Sequence, residues 1–261
     1  MTVSVSSNRW IVSPHKNPQA SIRLFCFPYA GGSASVFRTW HQQLPPYLEV
    51  CPIQYPGHGT RMNEEALNDA SALVAAAAEA LQPLLEKPFL FFGHSMGSIL
   101  AFELALHLQR FYEKSPLQLI LAGRNAPDAL SPIPPIHHLP EPEFRKGLKL
   151  YGGTPEDVLA QEDLMELVSP MLRADFALCE TYAYQAEAGQ VSCPISVLGG
   201  AQDEMVPEEN LKEWKRFTSS RFSHHMLPGG HFFLNTHQPE LLAQVANELV
   251  WLEKIPNLRK L

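Results

Sequence analysis

The sequence predicts an α/β fold with a central, mostly parallel sheet. Short apolar runs alternate along the chain with longer segments of helical pattern. The runs lack strict apolar–polar alternation, which is typical of strands buried on both faces of a parallel sheet. With 261 residues, 45% of them hydrophobic and 18% charged, the chain can also bury a sizeable core. We therefore expect helices on both faces of the sheet.

Six strands are predicted, each a short apolar run. In chain order they are Ile22–Phe27, Val50–Gln54, Phe89–Phe92, Leu117–Ala122, Ile195–Leu198 and His225–Leu227. Five longer segments between or after them predict helices, at Ser35–Leu44, Leu67–Leu85, Met96–Phe111, Glu208–Phe217 and Pro239–Trp251. Strand followed by helix, repeated, is the pattern that produces parallel pairing.

The segment between the fourth and fifth predicted strands breaks this rhythm. Six prolines occur between Ala126 and Phe144, and helical segments follow to about Tyr184. An insertion after the carboxyl end of a strand lies over the sheet edge at which open α/β folds bind ligands. We interpret residues 126–184 as a lid or cap, and residues 1–125 and 185–261 as the core of a single domain. The alternative is an embellishment that only enlarges the core.

Composition excludes several classes of function. Twenty Lys and Arg against 27 Asp and Glu give a net charge of −7, so the basic footprint of a nucleic-acid-binding protein is missing. The cysteines show no CxxC and no zinc-like spacing, which predicts no metal site and favours a reducing compartment; they are Cys26, Cys51, Cys179 and Cys193. Neither a secretory signal nor an apolar run of ~20 residues occurs. We expect a cytoplasmic protein that does not enter a membrane, and a monomer, since no exposed apolar heptad stands out.

The strongest chemical signal is the G-x-S-x-G pattern of residues 93–97, between an apolar strand and an amphipathic helix. In this context the pattern predicts a nucleophile elbow, a strained turn that lifts the hydroxyl of Ser95 clear of an α/β-hydrolase sheet. A side chain at Gly93 or Gly97 would collide with neighbouring backbone. His94 occupies a variable position of the motif, and we interpret it as a packing or oxyanion-side neighbour rather than as the general base.

A serine nucleophile needs a base, and the base needs an acid that orients it. In the α/β-hydrolase order the acid follows the serine and the histidine comes last. His231 stands in a glycine loop directly after the last predicted strand, and Asp203 stands in the loop after the strand before it. Glu204 is the nearest competitor for the acid and Asp128 a distant one. The sequence therefore predicts a triad of Ser95, Asp203 and His231.

An oxyanion hole needs two backbone N–H donors that point at the developing negative charge. One is expected from Met96, which follows the nucleophile. The other is expected from the glycine-containing loop after the first strand, with Ala30 as first choice and Tyr29 in reserve. This chemistry requires no cofactor and no metal.

The sequence resembles a known family, the type II thioesterases that accompany polyketide synthases and non-ribosomal peptide synthetases. These are discrete α/β-hydrolases related to the medium-chain fatty-acyl thioesterases. The match extends from about Ile22 to Pro239 and rests on five runs, FCFPYAGGSASVFRTW (25–40), QYPGHGTR (54–61), FFGHSMGSILAFELA (91–105), LRADFALCETY (172–182) and PGGHFFL (228–234). The resemblance implies the same triad. One departure is His58, at a position where such proteins often carry arginine.

The resemblance also implies a substrate and a partner. The substrate would be an acyl group held as a thioester on the 4′-phosphopantetheine arm of a carrier protein, and the activity would clear misprimed or stalled acyl groups from a synthase. Alternatives are a general short-chain carboxylesterase, a medium-chain fatty-acyl carrier protein thioesterase, a chain-terminating thioesterase or cyclase, and a non-catalytic scaffold. Two basic clusters are candidates for contact with the acidic carrier, one of Arg145, Lys146 and Lys149 and one of Lys212, Lys215, Arg216 and Arg221.

Overall fold

Six parallel strands form the centre of the molecule in a computed structural model that describes residues 8–13, 15, 17–129, 131 and 133–251. The strands are β1 (Ile22–Phe27), β2 (Leu48–Pro52), β3 (Phe89–His94), β4 (Leu119–Ala122), β5 (Ile195–Gly200) and β6 (Phe222–Leu227). Their order in the sheet is β2-β1-β3-β4-β5-β6, and every neighbouring pair is parallel. The prediction of an α/β fold with a mostly parallel sheet is confirmed.

Eight α-helices surround or cap this sheet within the described residues. They are α1 (Ala70–Leu81), α2 (Met96–Phe111), α3 (Glu141–Tyr151), α4 (Glu156–Leu159), α5 (Glu162–Thr181), α6 (Glu208–Lys212), α7 (Phe233–Thr236) and α8 (Gln238–Glu248). Successive residues of β3 point to opposite faces of the sheet. Phe91 packs in the cluster that contains α1 and α2, whereas Phe92 packs in the cluster that contains Trp40 and α8. Both faces are therefore covered, as the apolar strands require.

The strand bounds differ from the predictions by up to three residues, and two strands begin earlier than predicted for a physical reason. β2 begins at Leu48 rather than Val50, because the charged Glu49 is hidden in the strand opposite Arg23, whose Nε lies 3.0 Å from its Oε2. β6 begins at Phe222 rather than His225, because the polar Ser223 donates a hydrogen bond to Glu248 of α8 at 3.0 Å. A paired polar side chain can thus occupy a strand position that a search for apolar runs passes over.

The predicted helix Ser35–Leu44 is instead two short 3₁₀ helices, Ala34–Phe37 and Trp40–Gln42. Phe37 and Trp40 are both fully buried against Phe92, with ring centroids 6.0 and 4.7 Å from it. Phe37 ends the first 3₁₀ helix and Trp40 begins the second, so the turn between the two helices directs both rings at one partner. The spacing that suggested an α-helix belongs to this tighter turn.

The insertion, residues 126–184, contains α3, α4 and α5 and no strand among its described residues. It has its own apolar cluster, separate from the two that flank the sheet, formed by Ile136, Phe144, Leu148, Leu159, Met165, Leu172 and Phe176. No helix in the described part of the chain is long and apolar enough to cross a membrane. The described residues also contain no group of three or more acidic, histidine or cysteine side chains placed to hold a metal ion.

Candidate active site

Ser95 lies on the sharp turn between β3 and α2, at the carboxyl end of a central strand. Its backbone has φ 53° and ψ −114°, a strained conformation for a residue other than glycine. A Cβ at Gly93 would come within 2.3 Å of the carbonyl oxygen of Gly97, and one at Gly97 within 2.1 Å of that of Phe27. The two glycines are therefore required by close backbone approach.

Hydrogen bonds of the Ser98 side chain on α2 stabilise the turn. The sequence analysis did not single out this residue. Its fully buried hydroxyl lies 2.9 Å from the carbonyl oxygens of Gly93 and Ala122 and accepts a hydrogen bond from the Ala122 N–H at 3.1 Å. The Ser95 N–H donates to the Ala122 carbonyl at 2.8 Å. These bonds hold the strained turn against β4. A buried serine on the sheet-facing side of α2 was the available signal.

The structure brings Ser95, His231 and Asp203 together in one hydrogen-bonded line. The Ser95 hydroxyl lies 3.1 Å from Nε2 of His231, and Nδ1 of His231 lies 2.7 Å from Oδ2 of Asp203. The Asp203 side chain is 1% exposed, and its other oxygen accepts the Met205 N–H at 3.0 Å. A carboxylate on Nδ1 leaves Nε2 free to accept the serine proton, which is the tautomer that a general base requires.

The competing acids lie elsewhere. Glu204 is exposed, and Asp128 forms an ion pair with Arg216 at 2.9 Å on the surface. Two further histidines of the last strand also have partners of their own, since His224 faces Glu208 at 3.1 Å and His225 faces Glu248 at 2.6 Å. None of these four side chains forms a hydrogen bond or ion pair with His231.

Two backbone N–H groups beside Ser95 are unengaged. Neither the Met96 N–H nor the Ala30 N–H takes part in a hydrogen bond within the described residues. Met96 is the first residue of α2, so its N–H lies at the positive end of a helix. Ala30 lines the same cavity as Ser95, on the loop after β1. Tyr29 also lines this cavity, so the choice between the two loop residues stays a prediction.

His94 lies behind the serine and not in the line of hydrogen bonds. It is fully buried, and its ring packs 5.5 Å from that of His231 and 5.3 Å from that of Phe233. Burial lowers its pKa well below the ordinary value, and the neighbouring His231 lowers it further. A ring that stays neutral over the working pH range serves as packing, in agreement with the interpretation of His94 as a neighbour.

The sequence analysis assigned no role to two functional candidates, Asp175 of α5 and its partner His58. Asp175 is 1% exposed, and its Oδ2 lies 2.8 Å from Nε2 of His58 and 2.6 Å from the backbone N of Gly31. The histidine that replaces the expected arginine therefore still forms an ion pair. A carboxylate on the buried face of an otherwise apolar helix stripe was the signal for Asp175.

A cavity of about 110 Å³ opens beside Ser95 and His231, between the sheet edge and the insertion. Its insertion side carries mainly apolar or aromatic side chains, Leu148, Tyr151, Leu172, Phe176 and Cys179. Burial raises the pKa of both the Tyr151 hydroxyl and the Cys179 thiol to about 12. Neither group carries a charge near pH 7, so these side chains offer a bound molecule an uncharged surface, and the one carboxylate among the lining residues of the insertion, Glu180, is engaged by His137.

One cation, Arg124, also lines the cavity. It follows the end of β4 and is half-buried. Its guanidinium forms no ion pair or hydrogen bond with the part of the chain that the structure describes. A half-buried guanidinium without an acidic partner is suited to an anionic group on a bound molecule.

Comparison with known proteins places this geometry in context. The thioesterase domain family model matches residues 22–249. The chain is 42% identical over 248 residues to linear gramicidin dehydrogenase LgrE of Brevibacillus parabrevis, a match that covers 94% of each protein.

Two solved structures are similar over nearly the whole chain. The RedJ thioesterase from the prodiginine biosynthetic pathway of Streptomyces coelicolor is 34% identical, with a TM-score of 0.82 over 90% of this chain and 92% of that one. The type II thioesterase BorB from the borrelidin biosynthetic cluster is 32% identical, with a TM-score of 0.82 over 92% of this chain and 97% of that one.

Proposed function

Because the chain belongs to the thioesterase family and is a thioester hydrolase, we propose that Ser95 is its nucleophile, His231 its general base and Asp203 the acid that orients His231. The observation that carries this proposal is the line of hydrogen bonds from Ser95 through His231 to Asp203, at 3.1 and 2.7 Å. The unengaged N–H groups of Met96 and Ala30 support an oxyanion hole at the same place.

The first half of the reaction acylates Ser95. Nε2 of His231 takes the hydroxyl proton as the Ser95 oxygen attacks the thioester carbonyl, and the Met96 and Ala30 N–H groups donate to the oxyanion. The carbon–sulfur bond then breaks, and the departing thiolate takes the proton from His231. A thiol with a pKa of about 8.5 leaves more readily than an amine, so this protonation matters less than in a protease.

The second half restores the enzyme. His231 takes a proton from water, the hydroxide attacks the acyl–Ser95 carbonyl, and a second oxyanion forms in the same hole. When the carbon–oxygen bond to Ser95 breaks, the serine oxygen recovers the proton from His231. The products are a free carboxylic acid and a free thiol. Asp203 stabilises the imidazolium in both halves and keeps its own charge.

The substrate class follows from the similarity to type II thioesterases of polyketide and non-ribosomal peptide pathways. We propose acyl groups bound to the phosphopantetheine arm of a carrier protein, and removal of misprimed or stalled groups as the role. The name of LgrE describes a dehydrogenase. The present sequence has no G-x-G-x-x-G run, the pattern that positions a dinucleotide after a strand, so we do not extend that chemistry to it.

The carrier protein is the proposed partner, and acidic neighbours engage four of the seven side chains in the two basic clusters. Arg145 pairs with Glu141 and Glu162, and Arg216 pairs with Asp128 and Glu213. Lys149 and Lys212 also have acidic neighbours, Glu156 at 3.6 Å and Glu208 at 2.8 Å. We propose that the thioester and its arm are recognised within the cavity, and that Lys146, Lys215 and Arg221, which form no ion pair within the described residues, are the cluster side chains left to contact the carrier.

The test is intact-mass analysis of a carrier protein loaded with a short acyl group. We expect the wild-type enzyme to remove the acyl mass and Ser95→Ala to lose activity by about 10⁶-fold, since removal of a serine nucleophile has an effect of this order. Ser71→Ala, an exposed serine on α1, is the matched control and should behave as wild type.

Each other result has a definite meaning. Turnover of oxygen esters but not of the carrier thioester would favour a carboxylesterase, and a marked preference for medium-chain fatty-acyl carriers would favour that thioesterase class. Near-normal turnover by Ser95→Ala would refute the assigned nucleophile.

A further inference from the structure

A buried line of hydrogen bonds connects His58 and Asp175 to the loop that carries the proposed oxyanion donor Ala30. Nε2 of His58 lies 2.8 Å from Oδ2 of Asp175, and the same oxygen accepts the Gly31 N–H at 2.6 Å. The side chains of His58 and Asp175 are each only 2% exposed. These hydrogen bonds therefore run from His58, which is not part of the triad, to Gly31, the residue next to Ala30.

The surroundings of His58 indicate that it is protonated. Nδ1 lies 2.8 Å from the Pro56 carbonyl oxygen, which can only accept, and Nε2 faces the Asp175 carboxylate. Burial by itself would lower the pKa of His58, but the Asp175 charge and these hydrogen bonds raise it overall. An imidazolium satisfies both acceptors, and His58 and Asp175 thus form a buried ion pair.

The other titratable groups near this pair are either neutral near pH 7 or paired with another residue. Tyr55 packs edge-on against His58 with ring centroids 5.6 Å apart, and its pKa is raised well above the ordinary value by burial and by Asp175. Cys179, one turn along α5 from Asp175, has a pKa of about 12 because it is buried. Arg61 belongs to the same turn as His58 but pairs with Glu64 at 2.6 Å.

The loop that these bonds hold has little freedom of its own. The Gly32 N–H donates to the Tyr29 carbonyl at 2.8 Å, which closes a tight turn around Ala30 and Gly31. Gly31 has φ 77°, and a Cβ there would lie 2.7 Å from Cδ2 of Leu172 on α5. The turn therefore rests directly on α5 and is held there by Asp175.

We propose that His58 and Asp175 are positioning residues that hold the Tyr29–Gly32 turn on α5, so that the Ala30 N–H points at the oxyanion. The inference rests on the proposed function, because it assigns these residues to the same acylation step. It predicts an effect on the transition state, where the oxyanion exists, and little effect on substrate binding.

The pair also predicts a pH dependence with a definite sign. A histidine whose folded-state pKa is raised contributes its interaction below that pKa and loses it as pH rises through it. We therefore expect kcat to fall at alkaline pH as His58 loses its proton. A permanent cation at position 58 should remove the alkaline fall.

The test compares His58→Gln, Asp175→Asn and His58→Arg with wild type and with His224→Gln. His224 is a matched control, since it also faces a carboxylate, Glu208 at 3.1 Å, but lies on β6 away from Gly31. The measurements are kcat and KM across pH, and the affinity for an acyl trifluoromethyl ketone, which forms an oxyanion on Ser95. Thermal denaturation and circular dichroism check that each variant is folded.

We expect His58→Gln and Asp175→Asn to lower kcat and trifluoromethyl ketone affinity by about 10- to 100-fold with KM nearly unchanged, since one oxyanion donor contributes about 10²–10³ in kcat. His58→Arg should keep most of the activity and lose the alkaline fall. If His58→Arg does not fold, the kcat and inhibitor data of the other two variants decide.

Wild-type kcat and inhibitor affinity in both His58→Gln and Asp175→Asn would overturn the inference, as would an equal loss in His224→Gln. Ser95→Ala is measured in parallel. If it is inactive while the His58 and Asp175 variants behave as wild type, the positioning role fails and the proposed function stands. If it is active, the proposed function itself fails.

Discussion

The sheet edge and the insertion are held in place by different interactions. At the sheet edge, Ser95, Asp203 and His231 each follow a strand of one parallel sheet, and the backbone ladder determines where they stand. In the insertion, side chains make the decisive contacts. Glu141 accepts from Arg145 and Ser169 at 2.9 Å through one oxygen and from Arg173 at 2.9 Å through the other.

The difference shows which region of the enzyme responds to salt and to pH. Backbone hydrogen bonds in a sheet protected on both faces do not depend on salt or on the protonation of side chains. An insertion with a small apolar cluster and partly exposed ion pairs responds to both. The proposed triad therefore stands on the sheet edge, while the cavity wall proposed for the acyl group belongs to the insertion.

The largest expected effect tests the rigid region. Asp203→Asn removes the charge that orients His231 but leaves the strands unchanged, and we expect kcat to fall by about 10⁴-fold with the fold intact. The measurement is steady-state hydrolysis of an acyl thioester together with circular dichroism. Glu204→Gln, an exposed neighbour on the same loop, is the control. Equal losses in both variants would show that the loop, and not the Asp203–His231 bond, determines activity.

A pair of matched substitutions tests whether the two regions unfold separately. Phe91 in β3 and Phe144 in α3 are both fully buried, and a Phe→Ala change in such a site costs about 3–5 kcal/mol. We expect Phe91→Ala to lower the stability of the whole chain. Phe144→Ala should mainly lower the stability of the insertion, because its contacts lie in the separate cluster.

Native-state hydrogen exchange, resolved by peptide, measures this difference. Faster exchange in α3 and α5 with an unchanged β3 is the result expected for Phe144→Ala. An equal acceleration in β3 would mean that the sheet and the insertion form one cooperative unit, and the comparison drawn above would be wrong.

The smallest effect concerns the charges of the insertion. Burial alone would raise the pKa of Glu141, but hydrogen bonds from Arg145, Arg173 and Ser169 lower it overall. A lowered folded-state pKa means that the stabilisation is present above the ordinary value of about 4.3 and is lost as pH falls through the folded pKa. Because the Glu141 side chain is 36% exposed, solvent screening limits the contribution to at most about 1 kcal/mol.

Limited proteolysis within residues 126–184 measures this contribution. Glu141→Gln should accelerate cleavage at pH 7. A change to pH 3 or to 0.5 M salt should then increase the cleavage rate of Glu141→Gln less than that of wild type, because the variant has already lost the charge. Glu143→Gln lies on the same helix, is exposed, and has no ion pair within the described residues, so it is the control. Cleavage that is insensitive to Glu141→Gln would show that the apolar cluster alone holds the insertion.

Much of the core was predictable from the sequence because its signals are local. Met96–Phe111 was predicted with the bounds that α2 has, since one amphipathic period runs without interruption after the elbow. The predicted first strand, Ile22–Phe27, likewise has the bounds of β1. The starts of β2 and β6 were missed because Glu49 and Ser223 are polar residues whose partners lie far along the chain.

The sequence by itself determined the α/β class, the elbow at Ser95 and the residue types gathered after the strands, because each depends on a short pattern and on the order of strands and helices. Only the tertiary structure decided that Asp175 meets His58 across 117 positions and that both reach the turn at Gly31. No local period encodes the partner of a single buried charge. That partner is determined where the chain folds back on itself, since a buried carboxylate must be paired to be tolerated at all.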